Sequence, residues 1–194
     1  MSVIVIDPGH GGTTAVGGSS PNNATGPAGT LERDLTLEVG LLVEPFLTAQ
    51  GHTVVLTRTT DVNLGLADRA QVARSHTADV FVSIHFNGWT DPATQGTETL
   101  HHPSASDDSK LLAAAVQQRV LLATEHTDRG VKPQSLGVLD PARHALNTAG
   151  CLLEVSFLTD PAEETRLTDV NYKTRIAEQI AFAIVEYIAR QSGP

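Results

Sequence analysis

The sequence has little of what disulfide-bonded, membrane-spanning or nucleic-acid-binding proteins need. A single cysteine, Cys151, excludes an intrachain disulfide. No apolar run is long enough to cross a bilayer, and the first residues lack the basic and then apolar pattern of a signal peptide. Lysine and arginine number 13 against 22 acidic residues, which gives a net charge of −9. Because phosphate backbones attract concentrated positive charge, we expect no nucleic-acid partner.

The sequence does contain enough apolar material for one folded domain. Hydrophobic residues make up 40% of the 194 positions and charged residues 18%, a balance typical of globular chains. This length suits one domain rather than two, and no internal repeat or interdomain linker interrupts it. We therefore expect a single domain over residues 1–194, acting as a monomer. Histidine is the unusual component, with eight residues against only 4% aromatics.

Strand-like and helix-like segments alternate along the chain. Short apolar or β-branched runs predict strands at 3–6, 53–57, 79–86, 96–101 and 152–156. Apolar residues at helical spacing predict helices at 31–46, 64–75, 106–125 and 176–188. This alternation predicts an α/β fold: a twisted, mostly parallel or mixed sheet of about six strands with helices on both faces. In such sheets, ligands gather at the carboxyl ends of the strands.

Four polar residues stand where such a site would lie. His10 follows the first strand, beside glycines that let the backbone approach a ligand closely. His85 ends the most apolar strand, where an unpaired imidazole is costly to bury. Glu32 falls on the inward face of the first helix, by a count of about 100° per residue. Glu154 lies inside an apolar strand, where a charge needs a partner or a role.

Each of these four residues also has a structural explanation. His10 could be an exposed turn histidine, and His85 could be a hydrogen-bonded core histidine. Glu32 could be an acid favoured by the helix dipole, and Glu154 could be half of a buried ion pair. Together they form a more specific pattern. Two histidines and a glutamate are a ligand set suited to catalytic zinc, with the fourth position left to water. A further carboxylate would then serve as general base. The more specific helix-borne His-Glu-x-x-His pattern is absent.

Eight short segments, spread over nearly the whole chain, carry a wider pattern: VIVIDPGHGG at 3–12, LERD at 31–34, VVLTR at 54–58, DR at 68–69, FVSIHFN at 81–87, GTET at 96–99, RGVK at 129–132 and LEVSFL at 153–158. In this order they resemble the zinc-dependent N-acetylmuramoyl-L-alanine amidases of the amidase-3 type. Any one segment alone is a moderate signal, but their combination is specific.

The resemblance implies that His10, Glu32 and His85 bind Zn²⁺ and that Glu154 is the catalytic acid/base. It also implies the reaction, which is hydrolysis of the amide between the muramic-acid lactyl group and L-alanine in peptidoglycan. In that family's chemistry, zinc polarises the amide carbonyl and acidifies a water. Glu154 would take the proton of that water and pass it to the departing amine.

Other residues carry narrower expectations. Phe86 stands where the family commonly has a small residue, which predicts a different pocket wall. The Gly- and Ser-rich loop at 13–30 is expected to shape substrate access. Glu98 is expected either to face the cleft or to pair across strands, and Cys151 to be a small hydrophobe rather than a nucleophile. The six remaining histidines are expected at surface or groove positions: His52, His76, His101, His102, His126 and His144.

Three functions stay open at this point. The first is a peptidoglycan amidase, acting as an autolysin, a cell-separation enzyme or a phage-type lysin. The second is a zinc peptidase or amidohydrolase that acts on another peptide. The third is a wall-binding module without catalysis, against which the full set of site residues argues. Since the implied substrate lies outside the cytoplasm, we expect periplasmic or extracellular action, by a trimmed domain or a phage-type lysin.

Overall fold

A six-stranded mixed sheet forms the centre of the molecule. The computed structural model describes residues 1–191, and its strands are β1 (Val3–Pro8), β2 (Thr53–Leu56), β3 (Val80–Asn87), β4 (Thr97–His101), β5 (Asp128–Pro133) and β6 (Ala149–Phe157). They stand in the order β2-β1-β3-β6-β4-β5. Neighbouring strands pair in parallel, except that β4 runs antiparallel to β6.

Helices cover both faces of this sheet, as predicted. They are α1 (Glu32–Ala49), α2 (Leu66–Ser75), α3 (Asp107–Thr124), α4 (Pro161–Arg166) and α5 (Val170–Gln191), with 3₁₀ turns at Gly137–Leu139 and Pro141–Arg143. The larger core lies between the sheet and α1, α3 and α5. A smaller core lies on the other face, under α2 and the first 3₁₀ turn. Within residues 1–191, no helix is both long and apolar enough to span a membrane.

The central strand β3 decides which face carries the chemistry. Successive side chains of a strand point to opposite faces. Ile84 and Phe86 pack into the larger core, so His85 between them points to the thinly covered face. Phe86 is fully buried there. The expectation that Phe86 alters the pocket wall is therefore wrong, because its ring lies on the far side of the sheet.

The predicted elements are present, with boundaries shifted by a few residues. The helix predicted at 106–125 is α3, in which the Ser106 side chain caps the start and Glu125 adopts a left-handed conformation at the end (φ 56°). Pro45 lies inside α1, which continues to Ala49. The sequence patterns did not indicate β5 or α4. β5 is an edge strand that ends in Pro133. Edge strands tolerate proline, glycine and charged residues, and a segment with these residues resembles a loop in sequence.

Candidate metal centre and catalytic cleft

Three elements bring ligand-type side chains to one point. His10 lies two residues after the end of β1, His85 lies near the end of β3, and Glu32 is the first residue of α1. Nε2 of His10 and Nδ1 of His85 lie 3.1 Å apart. Glu32 Oε1 lies 3.1 Å from the first of these nitrogens and 3.0 Å from the second. The structure thus brings together the three residues that the sequence pattern grouped as ligands.

The chemistry of this donor set fits a bound cation. His10 Nδ1 lies 3.0 Å from the carbonyl oxygen of Ser20, which can only accept a hydrogen bond. Ser20 Oγ also lies 3.1 Å from this nitrogen. In the tautomer with the proton on Nδ1, Nε2 presents a lone pair, and in the other tautomer Nε2 donates its proton to Glu32. That lone pair faces the carboxylate oxygen of Glu32, another acceptor. Electron pairs that converge in this way repel unless a proton or a metal ion lies between them. Two imidazoles and a carboxylate suit borderline divalent metals such as zinc.

The Glu32 carboxylate is held as an anion in a fixed position. Burial would raise its pKa, but the hydrogen bonds and charges of His10 and His85 outweigh burial and lower the pKa to about 2. Its Oε2 accepts a hydrogen bond from the Ala24 amide at 2.8 Å, and its Oε1 accepts one from the Phe86 amide at 3.1 Å. Two backbone donors from different segments thus orient this side chain.

Two buried arginines hold the turn that carries His10. Arg69 donates to the carbonyl oxygens of Pro8 at 2.7 Å and His10 at 2.6 Å, and it pairs with Asp7 at 2.8 Å. Arg58 donates to the carbonyls of Pro8 and Gly9, both at 2.9 Å. These contacts support an unusual backbone, since His10 itself has a positive φ of 60°. The resemblance segments contain both arginines, but nothing in their local pattern showed that they reach under this turn.

Gly9 makes room for the His85 ring. A Cβ atom built at this position would lie 2.3 Å from His85 Cε1 and 2.4 Å from its Nε2. No side chain larger than hydrogen fits there without moving the imidazole. The small residue before His10 therefore sets where the second histidine lies.

Glu154 lies beside His85 in a row that crosses three strands. It is the register partner of His85 on β3 and of Glu98 on β4, so all three side chains project from the same face. Burial, together with the negative charges of Glu32 and Glu98, raises the pKa of Glu154 well above its usual value. Its Oε2 is buried and has no hydrogen-bond partner among residues 1–191. Such a carboxyl is suited to exchange a proton with a ligand.

These residues line a cleft of about 390 Å³, which includes His10, His85, Glu98 and Glu154. Glu98 combines the two roles expected for it. It lines this cleft, and it pairs with Arg129 at 3.1 Å and with Lys132 on the neighbouring strand β5. It also accepts a hydrogen bond from Asn87 Nδ2 at 2.9 Å. Asn87 is a cleft residue that the sequence reasoning missed, although it lies two positions after His85.

The loop at 13–30 contributes directly to the site. Ser20 and Asn23 line the cleft, and Ala24 holds Glu32 through its backbone amide. Its expected influence on access to the site is consistent with this placement. Cys151 is fully buried in β6, and burial raises the pKa of its thiol. It is therefore a core residue, as expected.

Two of the six remaining histidines are not at the surface. His144 is 8% exposed, and its Nε2 lies 2.8 Å from the carbonyl oxygen of Val138. The side chain of His126 is also 8% exposed and lies 2.9 Å from the buried Glu163. The surface or groove assignment is wrong for both. Their loop-like neighbours in sequence gave no sign of the packing that covers them.

Comparisons with known proteins bear on the family and on the fold. The family model described as N-acetylmuramoyl-L-alanine amidase (Amidase_3) matches residues 4–186. The germination-specific N-acetylmuramoyl-L-alanine amidase of Bacillus subtilis is 28% identical, over 99% of this chain and 82% of its own length.

Solved structures are similar over nearly the whole chain. The catalytic domain of CwlV, an N-acetylmuramoyl-L-alanine amidase from Bacillus (Paenibacillus) polymyxa var. colistinus, superposes with a TM-score of 0.86 at 36% identity, covering 97% of this chain and 99% of that one. An N-acetylmuramoyl-L-alanine amidase from Clostridium difficile 630 gives a TM-score of 0.88 at 31% identity, covering 99% and 98%.

Proposed function

Since the chain belongs to the N-acetylmuramoyl-L-alanine amidase family, we propose that its cleft hydrolyses the amide between N-acetylmuramic acid and L-alanine in a zinc-dependent reaction. His10, Glu32 and His85 are the proposed ligands, and Glu154 is the proposed acid/base. One observation carries the proposal: three convergent ligand-type atoms lie beside a carboxyl whose buried Oε2 has no partner among residues 1–191. The family acts on the cell wall, so the reaction takes place in the periplasm or outside the cell.

The geometry supports a separate role for each of these residues. Zinc, when bound, supplies a Lewis acid that polarises the amide carbonyl and lowers the pKa of a water. Glu154 accepts the proton of the attacking water and delivers it to the departing nitrogen. Its raised pKa suits this exchange, because the carboxyl holds a proton more readily than an exposed glutamate does. Residues 1–194 are proposed to act as one catalytic domain and as a monomer, which gel filtration tests.

The reaction is tested by digesting purified peptidoglycan with the wild-type protein and with Glu154→Gln. The wild type is expected to release stem peptides that begin with L-alanine, as measured by mass spectrometry. Glu154→Gln should lower this rate by about 10²-fold or more, since it removes proton transfer but keeps the shape. Glu44→Gln, on the later part of α1, is the matched control and should keep full activity. Release of reducing sugars, or cleavage within the stem, would contradict the amidase assignment.

The ligand set is tested by metal analysis. Wild-type protein is expected to bind about one zinc ion per chain, as an open catalytic site does. His10→Ala and His85→Ala should each lower zinc content, whereas Glu154→Gln should keep it, because Glu154 is proposed to act on the water and not as a ligand. Unchanged zinc content in both histidine variants would refute the ligand assignment.

A further inference from the structure

We propose that Trp89, with the shallow trough beside it, binds the sugar chain of peptidoglycan next to the metal centre. The proposal rests on the proposed function and names where the glycan part of that substrate lies. Trp89 is the only tryptophan of the chain, and it is 63% exposed. Large aromatic side chains are costly to leave in water, and they are concentrated in binding surfaces.

The backbone under Trp89 is firmly held. The Trp89 amide donates to Thr159 Oγ1 at 3.0 Å, and the Gly88 amide donates to Asn87 Oδ1 at 2.9 Å. Gly88 packs so closely on Ala24 that an added Cβ would lie 3.0 Å from the Ala24 Cβ. The indole is therefore presented by an ordered segment, and binding to it costs little additional ordering of the chain.

The trough beside the indole has the chemistry of a neutral-sugar site. It encloses about 260 Å³, and every residue that lines it is uncharged. Hydroxyl and amide groups from Asn23, Thr25, Thr90 and Thr159 surround it. A pyranose ring has an apolar face that stacks on an aromatic ring, while its hydroxyl and N-acetyl groups need polar partners at the edge. The trough offers both kinds of contact.

The trough adjoins the catalytic cleft. Asn23 lines both the trough and the catalytic cleft. Ala24, in the wall of the trough, donates its amide to the ligand Glu32 at 2.8 Å. Trp89 itself follows His85 by four residues. In the proposed substrate the scissile amide is joined to the sugar through a lactyl group only, so a sugar must lie within a few ångströms of that amide. The trough is a polar surface that meets this requirement.

Charge favours the sugar over the stem peptide as the occupant. The stem of peptidoglycan carries carboxylates, which attract cationic groups. Arg129 and Lys132 both pair with the single carboxylate of Glu98, on the β4–β5 side of the cleft. Both cationic side chains are partly exposed and so can also meet a carboxylate of the stem peptide, whereas the trough has no charged lining residue. The arrangement places the peptide toward β5 and the glycan toward Trp89.

The sole tryptophan makes the first test direct. A hexamer of β-1,4-linked N-acetylglucosamine and stem-free glycan strands are titrated into the Glu154→Gln variant, and Trp89 emission is followed. We expect a saturable change in emission with both saccharides and none with free stem peptide. No change with either saccharide, or a change with the stem peptide alone, would overturn the proposal. No turnover is needed, so glycan binding in a protein that lacks amidase activity would remove the proposed function but leave the sugar site standing.

A second test uses the wild-type background. Trp89→Ala should raise KM for polymeric peptidoglycan at least about fivefold, the loss expected of an aromatic anchor. Trp89→Phe should restore part of it. Phe182→Ala removes an exposed aromatic residue from α5 and should leave KM unchanged. Zinc content and melting temperature, measured alongside, report whether the variants are folded. An unchanged KM in folded Trp89→Ala would refute the sugar site while the amidase assignment remains intact.

Discussion

At the scale of single residues, the site depends on where individual atoms are allowed to lie. Gly9 is needed because the His85 ring occupies the space that a Cβ would fill. Ser20 is needed because its carbonyl oxygen and its hydroxyl both contact Nδ1 of His10 and so orient the ring. Neither residue is a proposed ligand, but Gly9 affects the position of His85 and Ser20 affects the orientation of His10. Changes at such positions should therefore be visible in metal affinity before they are visible in folding.

Gly9→Ala tests this idea. The added methyl group should displace the His85 imidazole and lower zinc affinity by about 10- to 100-fold, the loss typical of a disturbed supporting contact. Competition with a chromogenic chelator measures the affinity. Gly150→Ala on β6 is the matched control, because its nearest neighbours lie at 4.0 Å and an ordinary contact would result. Equal zinc affinity in the two variants would contradict the steric argument.

Some site residues were visible in the sequence because they break a local pattern. His85 and Glu154 are polar residues in apolar strands, and Glu32 is an acid on an inward helical face. Asn87 was missed because an asparagine after a strand is ordinary in a turn. The roles of Arg58 and Arg69 could not be predicted, since their long side chains reach a turn about fifty and sixty residues away in sequence. Only tertiary structure shows such a reach.

At the scale of elements, the end of β1 is the part of the fold most tightly joined to the site. Asp7, its penultimate residue, is fully buried and pairs with Arg69 of α2. Burial alone would raise the pKa of Asp7. The Arg69 charge and the hydroxyls of Ser83 and Thr57 outweigh burial, so the pKa lies below its usual value of 3.8. This carboxylate therefore links strand, helix and the His10 turn.

The lowered pKa gives a signed prediction. A folded-state pKa below the unfolded value means that Asp7 contributes stability above about pH 4, and that this contribution is lost as the pH falls further. Asp7→Asn should lower the free energy of unfolding at pH 7 by about 3 to 5 kcal/mol, because Arg69 is left unpaired. It should also reduce the loss of stability between pH 4 and pH 2. Denaturant titrations at several pH values measure both effects.

Asp34→Asn is the control for that prediction, since Asp34 is exposed on α1. It should change neither the stability at pH 7 nor its slope with pH. An Asp7→Asn protein with the acid sensitivity of the wild type would show that other carboxylates dominate the acid transition.

Helices and strands were predictable where the spacing of apolar residues was regular. The alternation of runs identified five strands and four long helices, because burial on one or both faces sets the period of apolar residues. β5 was not predicted, because its residues are exposed or half-buried and therefore show little apolar pattern. The antiparallel pairing of β4 with β6 was also not predictable, since direction depends on partners far away in sequence.

At the scale of the whole molecule, net charge sets how the protein meets its substrate. A charge of −9 offers no long-range attraction to an anionic wall, so binding should depend on contacts within the cleft and the trough. Raising the salt concentration from about 0.1 M to about 1 M shortens the screening length from about 10 Å to about 3 Å. KM for purified walls should stay constant or fall as repulsion is screened. A marked rise of KM with salt would show that local positive charge dominates.

The rate at which a dye labels the buried thiol of β6 measures how often the centre of the sheet opens. Cys151 lies three residues before Glu154, on a strand enclosed by β3 and β4. A thiol-reactive dye can reach it only when that centre separates, and there is no second cysteine to confuse the signal. Zinc that joins α1, β1 and β3 would stabilise the closed form by mass action. Bound zinc would then slow the labelling of Cys151, so the labelling rate would report how much of the His10, Glu32 and His85 site is occupied by metal.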